Sequence, residues 1–77
     1  MYYQKIIDIT KDYLGPAAPR FVDRQISTYL NKTPELIEKS DISSLAIRIR
    51  SGLIVLTKDT KLVEEAFLRI NSVGDAL

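Results

Sequence analysis

Apolar residues recur at steps of three and four along nearly the whole chain, and this spacing limits the possible folds more than any motif does. Tyr3, Ile6, Ile7, Thr10, Tyr13 and Leu14 form one such stripe. Ala18, Phe21, Val22, Gln25, Ile26, Tyr29 and Leu30 form a second. Ile42, Leu45, Ala46, Ile49, Leu53 and Leu56 form a third, and Val63, Ala66, Phe67, Ile70 and Val73 a fourth, with Leu62 at its edge. Each stripe marks one face of a helix that must be buried against another.

The punctuation between the stripes agrees with helices. Gly15-Pro16 ends the first, since glycine suits a C-terminal cap and proline cannot continue the hydrogen-bond ladder. Asn31 is a candidate left-handed cap for the second. Thr33, Pro34 and Glu35 suit the start of a short helix in which Leu36 and Ile37 point inward. Asp41 is a candidate N-cap for the third stripe, and Asp59 or Thr57 for the fourth. The segment around Ile47 has a rival reading as a β-hairpin. Ile47-Arg48-Ile49-Arg50 alternates, Ser51-Gly52 offers a turn, and the residues from Leu53 to Thr57 are apolar or β-branched. The helix is preferred because a lone two-stranded hairpin is marginal, although Gly52 inside a helix costs about 1 kcal/mol relative to alanine. The expectation is an all-α fold, a compact bundle of four main helices plus one short one. The helices fall at about 2–14, 17–30, 34–40, 42–57 and 60–72 of a single domain over 1–77. Loops of a few residues favour antiparallel neighbours.

Composition narrows function. The 77 residues include no cysteine and no histidine, which removes disulfides, thiol nucleophiles, Cys/His zinc sites and histidine triads. The carboxylates form no convincing acid/base pair, and there is no glycine-rich phosphate loop. The chain is therefore expected not to be an enzyme and to need no cofactor or metal. A net charge of +1 argues against a dedicated nucleic-acid binder. No apolar run reaches the roughly 18 residues of a membrane span, and the N-terminus has no signal-peptide pattern. A cytoplasmic location is the default expectation.

Two groups of residues remain as candidate sites. Arg20 and Arg24 stand one turn apart near the start of the second helix, where an anion is favoured. With Lys32 they form a possible anion-binding set, against the simpler reading of a solvated face. The second group comes from an excess of apolar residues on the third stripe's helix. Besides its core face it carries Ile47 and Ile54, seven residues apart, and Val55 on another side. Such a helix is either buried centrally or meets another chain. The expected interface comprises Ile47, Ile54 and Val55 with Arg50 at the rim. It would serve a protein partner or a homodimer.

Two stretches also resemble a known family. One is YLGPAAPRFVDRQISTY, Tyr13 to Tyr29. The other is Asp41 to Ile70, with an Asp-Ile-x-x-Leu-Ala start, Leu56-Thr57-Lys58-Asp59 and a closing Leu-Val-Glu-Glu helix. They resemble a small helical domain of unknown function at the C-termini of bacterial serine/threonine kinases, response regulators and related signalling proteins, including cyanobacterial ones. Leu14, Gly15, Pro16 and Ala18 match its hallmark. Asp23 and Gln25 depart from it, because that helix is often more basic. The resemblance implies an all-helical accessory domain for protein interaction or self-association, and it carries no catalytic residue over.

Overall fold

A computed structural model describes residues 2–76, and the described residues contain helices and turns but no strand. Met1 and Leu77, which the expected domain limits include, lie outside the described residues. Helix α1 spans Tyr2–Leu14, α2 Ala18–Gln25, α3 Ile42–Thr57, α4 Thr60–Asn71 and α5 Val73–Ala76. Helix α1 packs against α2 and α4, and α3 packs against the same two. The extents are 30 × 23 × 19 Å.

The expected set of four comparable helices and one short helix needs correction. Three α-helices reach twelve residues: α1 with 13, α3 with 16 and α4 with 12. The second stripe is a composite of a 3₁₀ turn (Gly15–Ala17), eight α-helical residues and a π turn (Ile26–Leu30). Gly15 takes φ +58°, a conformation glycine reaches without a Cβ penalty, and this turns the chain between α1 and α2. Farther on, Ile26-Ser27-Thr28 is β-branched or hydroxylated and propagates a helix poorly. The Ser27 hydroxyl donates to the Arg24 carbonyl (3.3 Å) beside the widened turn. Asn31 then stops the helix in the left-handed region, at φ 53°.

The short helix expected at 34–40 is also absent. Two separate 3₁₀ turns, Pro34–Leu36 and Lys39–Asp41, stand in its place, with Ile37 extended between them. Extending the backbone lets Ile37 reach the core while Leu36 stays 61% exposed, so only one of the two apolar residues is buried. Thr33 makes no side-chain cap.

The caps are divided as well. Asp59 accepts hydrogen bonds from the Lys61 and Leu62 amides and starts α4. Asp41 makes no such bond to α3. Instead it accepts from the Glu38 amide (2.9 Å) and the Lys32 ammonium (2.7 Å). The Lys32 bond, and then the Glu38 amide, hold the Asp41 carboxyl below its ordinary value.

Helix α3 is continuous from Ile42 to Thr57, so the hairpin does not form. Ile42, Leu45, Ala46, Ile49 and Leu53 are buried with Ile6, Val22, Ile26, Val63, Ala66 and Ile70 in one core. Thr10 is buried among them, and its hydroxyl donates to the Ile6 carbonyl (2.8 Å).

Polar links tie α1 to its two neighbours. The Tyr13 hydroxyl donates to Glu65 (2.6 Å), while Arg69 reaches Asp12 (2.8 Å) and the Tyr13 oxygen (3.0 Å). On the other side the Tyr3 hydroxyl donates to Asp23 (2.5 Å). Burial, then the Asp23 carboxylate, push the Tyr3 phenol up to about 12. A raised acid pKa means that the folded state holds the proton more tightly than the unfolded chain, whose tyrosine ionises near 10. This contribution is complete below about pH 10 and disappears as the pH rises through about 12. Tyrosinate absorbance should therefore show a step near pH 12 that Tyr3→Phe removes. The same variant should flatten the alkaline loss of stability. An unchanged titration in Tyr3→Phe would sink this assignment.

Candidate functional site: the groove between α2 and the end of α3

The side chains that join α2 to α3 show how the groove arises. The Arg48 guanidinium stacks 4.3 Å over the ring of Tyr29, in the π turn. One turn on, Gly52 lies against Phe21 and Gln25. One further turn on, Leu56 borders an opening of about 210 Å³ with Leu14, Ala17, Arg20, Phe21 and Arg24. As α3 advances through 48, 52 and 56, its neighbours fall from 29 to 25 and 21 and then to 17. The two segments are therefore antiparallel.

Gly52 makes this approach possible. A Cβ built there would lie 2.6 Å from Phe21 Cζ and 2.8 Å from Cε1, well inside van der Waals contact. Without that carbon the Phe21 ring settles on the α3 backbone and becomes one wall of the groove. Leu56, which borders the opening with Leu14 and Ala17 of the corner, is 61% exposed. The result is an open apolar floor of Leu14, Ala17, Phe21 and Leu56 with two guanidiniums on its rim.

The two expected groups of site residues are redistributed. Arg20 and Arg24 meet in the groove, but Lys32 does not line it. Its ammonium is held by Asp41, with Glu38 at 3.8 Å. In the apolar set, Ile47 and Val55 are on the surface, 45% and 70% exposed. Ile54 is half-buried and packs on the core. Arg50 is used within the fold: it stacks 4.3 Å over Phe67 and lies 3.7 Å from Glu64. Arg50 thus joins α3 to α4, as Arg48 joins α3 to the π turn.

The groove residues that sequence reasoning did not select are Leu14, Ala17, Phe21 and Leu56. Three of these belong to the expected stripes, and Leu56 was assigned to the core. Periodicity supplies the angle of a residue around its helix. It does not supply the height at which the neighbouring helix stops, and Leu56 lies past that height.

A second, larger opening of about 360 Å³ is lined by Lys5, Asp8, Ile9, Arg69, Ser72 and Val73. Its guanidinium is already engaged by Asp12 and Tyr13. Among the described residues no three carboxylates gather where they could hold a metal ion. Among the described residues no helix is long and apolar enough to cross a membrane. No known family model, curated protein or solved structure matches this chain.

Proposed function

We propose that this chain is a non-catalytic protein-interaction module, and that its docking surface is the groove between α2 and the end of α3. The observation that carries this reading is the open floor of Leu14, Ala17, Phe21 and Leu56 beside two arginines. A large aliphatic side chain left in water beside a preformed apolar wall gains by being covered, at roughly 25 cal/mol per Å² of apolar surface buried. The resemblance of 13–29 and 41–70 to accessory domains of bacterial signalling proteins suggests the setting. Ile47 and Val55 remain available on the outer face of α3 for self-association. The alternative of an anion- or nucleic-acid-binding domain has less support, because Lys32 is held by Asp41 and only Arg20 and Arg24 stay together.

The test is an unbiased selection of helical peptides on the folded domain, with binders mapped by backbone amide chemical shifts. The expected binders shift the amides of Leu14, Phe21 and Leu56 and lose affinity for Leu56→Asp. Since Leu56 is on the surface, that variant should keep its stability within about 0.5 kcal/mol. Binders that map only to other faces, or that ignore Leu56→Asp, would refute the reading. Light scattering on the same pair of proteins tells whether the partner is a second copy.

A further inference from the structure

We infer that the groove is shaped for an acidic amphipathic helix, one that presents a large apolar residue beside two carboxylates one turn apart. This rests on the docking reading above and specifies the partner's chemistry. The chain contains five arginines, and three are engaged by their own fold. Arg48 stacks on Tyr29, Arg50 lies on Phe67 beside Glu64, and Arg69 pairs with Asp12. Among the described residues, Arg20 and Arg24 have no carboxylate within ion-pair distance. These two border the groove. Asp23 is the only acid in α2, and its carboxylate takes the Tyr3 hydroxyl on the side facing α1. The rim of the groove is thus cationic and unneutralised.

The spacing defines the ligand further. Residues four apart on a helix are separated by about 6 Å along the axis, at 1.5 Å per residue. Two carboxylates one turn apart on a partner helix match that separation, and guanidinium–carboxylate pairs allow two parallel hydrogen bonds each. The apolar floor lies beside the arginines, so the anchor residue must sit on the same face as the acids. The volume of about 210 Å³ is below the roughly 300–1,000 Å³ of small-molecule pockets, and it suits one inserted side chain better than a cofactor. A groove between two antiparallel helical segments is also a natural seat for a third helix. A nucleic-acid backbone would use the arginines but leave the apolar floor uncovered.

Three short helical peptides, titrated by nuclear magnetic resonance, test the inference. The acidic probe carries one leucine beside two glutamates one turn apart on the same face, the second replaces both glutamates by glutamine, and the third keeps them but replaces leucine by alanine. The acidic probe should bind about three- to tenfold more tightly than the glutamine probe, and added salt should narrow that gap. Binding of the alanine probe should be lost. Arg24→Gln, on an exposed side chain, should keep the thermal melt and bring the acidic and glutamine probes together in affinity. Equal binding of those two probes to the native protein overturns the acidic inference while leaving the docking reading intact. Equal binding of the alanine probe, or of inorganic phosphate, makes the groove an anion site and overturns it too. Dimerisation that requires Leu56 and resists the acidic probe assigns the groove to a second copy, with the same consequence. No binding by any probe, together with no selected peptide mapping to Leu56, defeats both readings.

Discussion

Ile49→Ala should cost about 2–5 kcal/mol, the usual range for truncating a fully buried isoleucine, because Ile49 is 0% exposed in the middle of α3. A domain of this length has roughly 4–12 kcal/mol in total, at about 0.05–0.15 kcal/mol per residue. The variant should therefore melt at least about 10 °C lower, since each kcal/mol shifts a domain of this size by about 4–8 °C. Ile47→Ala, two residues away on the exposed side, is the control. It should change stability by no more than about 0.5 kcal/mol. Thermal and urea unfolding followed by circular dichroism checks both. Equal effects of the two truncations would mean that α3 is rotated from the orientation described.

Gly52→Ala is the second variant with a large expected effect, and its sign is informative. In an isolated helix alanine would gain about 1 kcal/mol over glycine. Here the added Cβ would lie 2.6 Å from Phe21 Cζ, so the ring must move. Overpacking of this kind typically costs about 1–3 kcal/mol, which outweighs the propensity gain over most of that range. We expect net destabilisation, along with loss of the groove wall that Phe21 provides. Phe21→Leu in the same chain removes Cζ and Cε1. The double variant should then recover stability, with a coupling energy of about 1 kcal/mol or more in a urea double-mutant cycle. If Gly52→Ala alone stabilises the protein, α2 and α3 do not approach at that point.

These variants mark how far the sequence could be read. Helical spacing places Ile49 on the core face through angle alone, and the buried face from Ile42 to Leu53 follows the expected stripe. Spacing left Ile47 between central burial and an interface, and the structure leaves it 45% exposed. Gly15-Pro16 and Asp59 were legible because left-handed turns and N-caps are set by local backbone chemistry. Asp41 was misplaced because its carboxylate could serve either α3 or the turn before it. The Lys32 ammonium and the Glu38 amide together favour the turn. The helix expected at 34–40 failed for a related reason, since burying Ile37 from that loop requires an extended residue.

The candidate site was legible only in pieces. Arg20 and Arg24 stood out as a cationic pair, and the helix of Ile47, Ile54 and Val55 stood out as too apolar. Nothing in the spacing showed that Arg50 would be used against α4, or chose between core and interface for Ile54. Nor did it show that Gly52 is a packing residue, because in one dimension a glycine inside a helix looks only like a local cost.

The amino-acid order by itself determined the helical class, the buried stripes and the loss of thiol and imidazole chemistry, because these depend on period and composition alone. Only the tertiary structure decided which end of α3 stays uncovered and which arginines stay free. Both depend on where the neighbouring helices start and stop in space. A residue's angle around its own helix axis carries no information about that height.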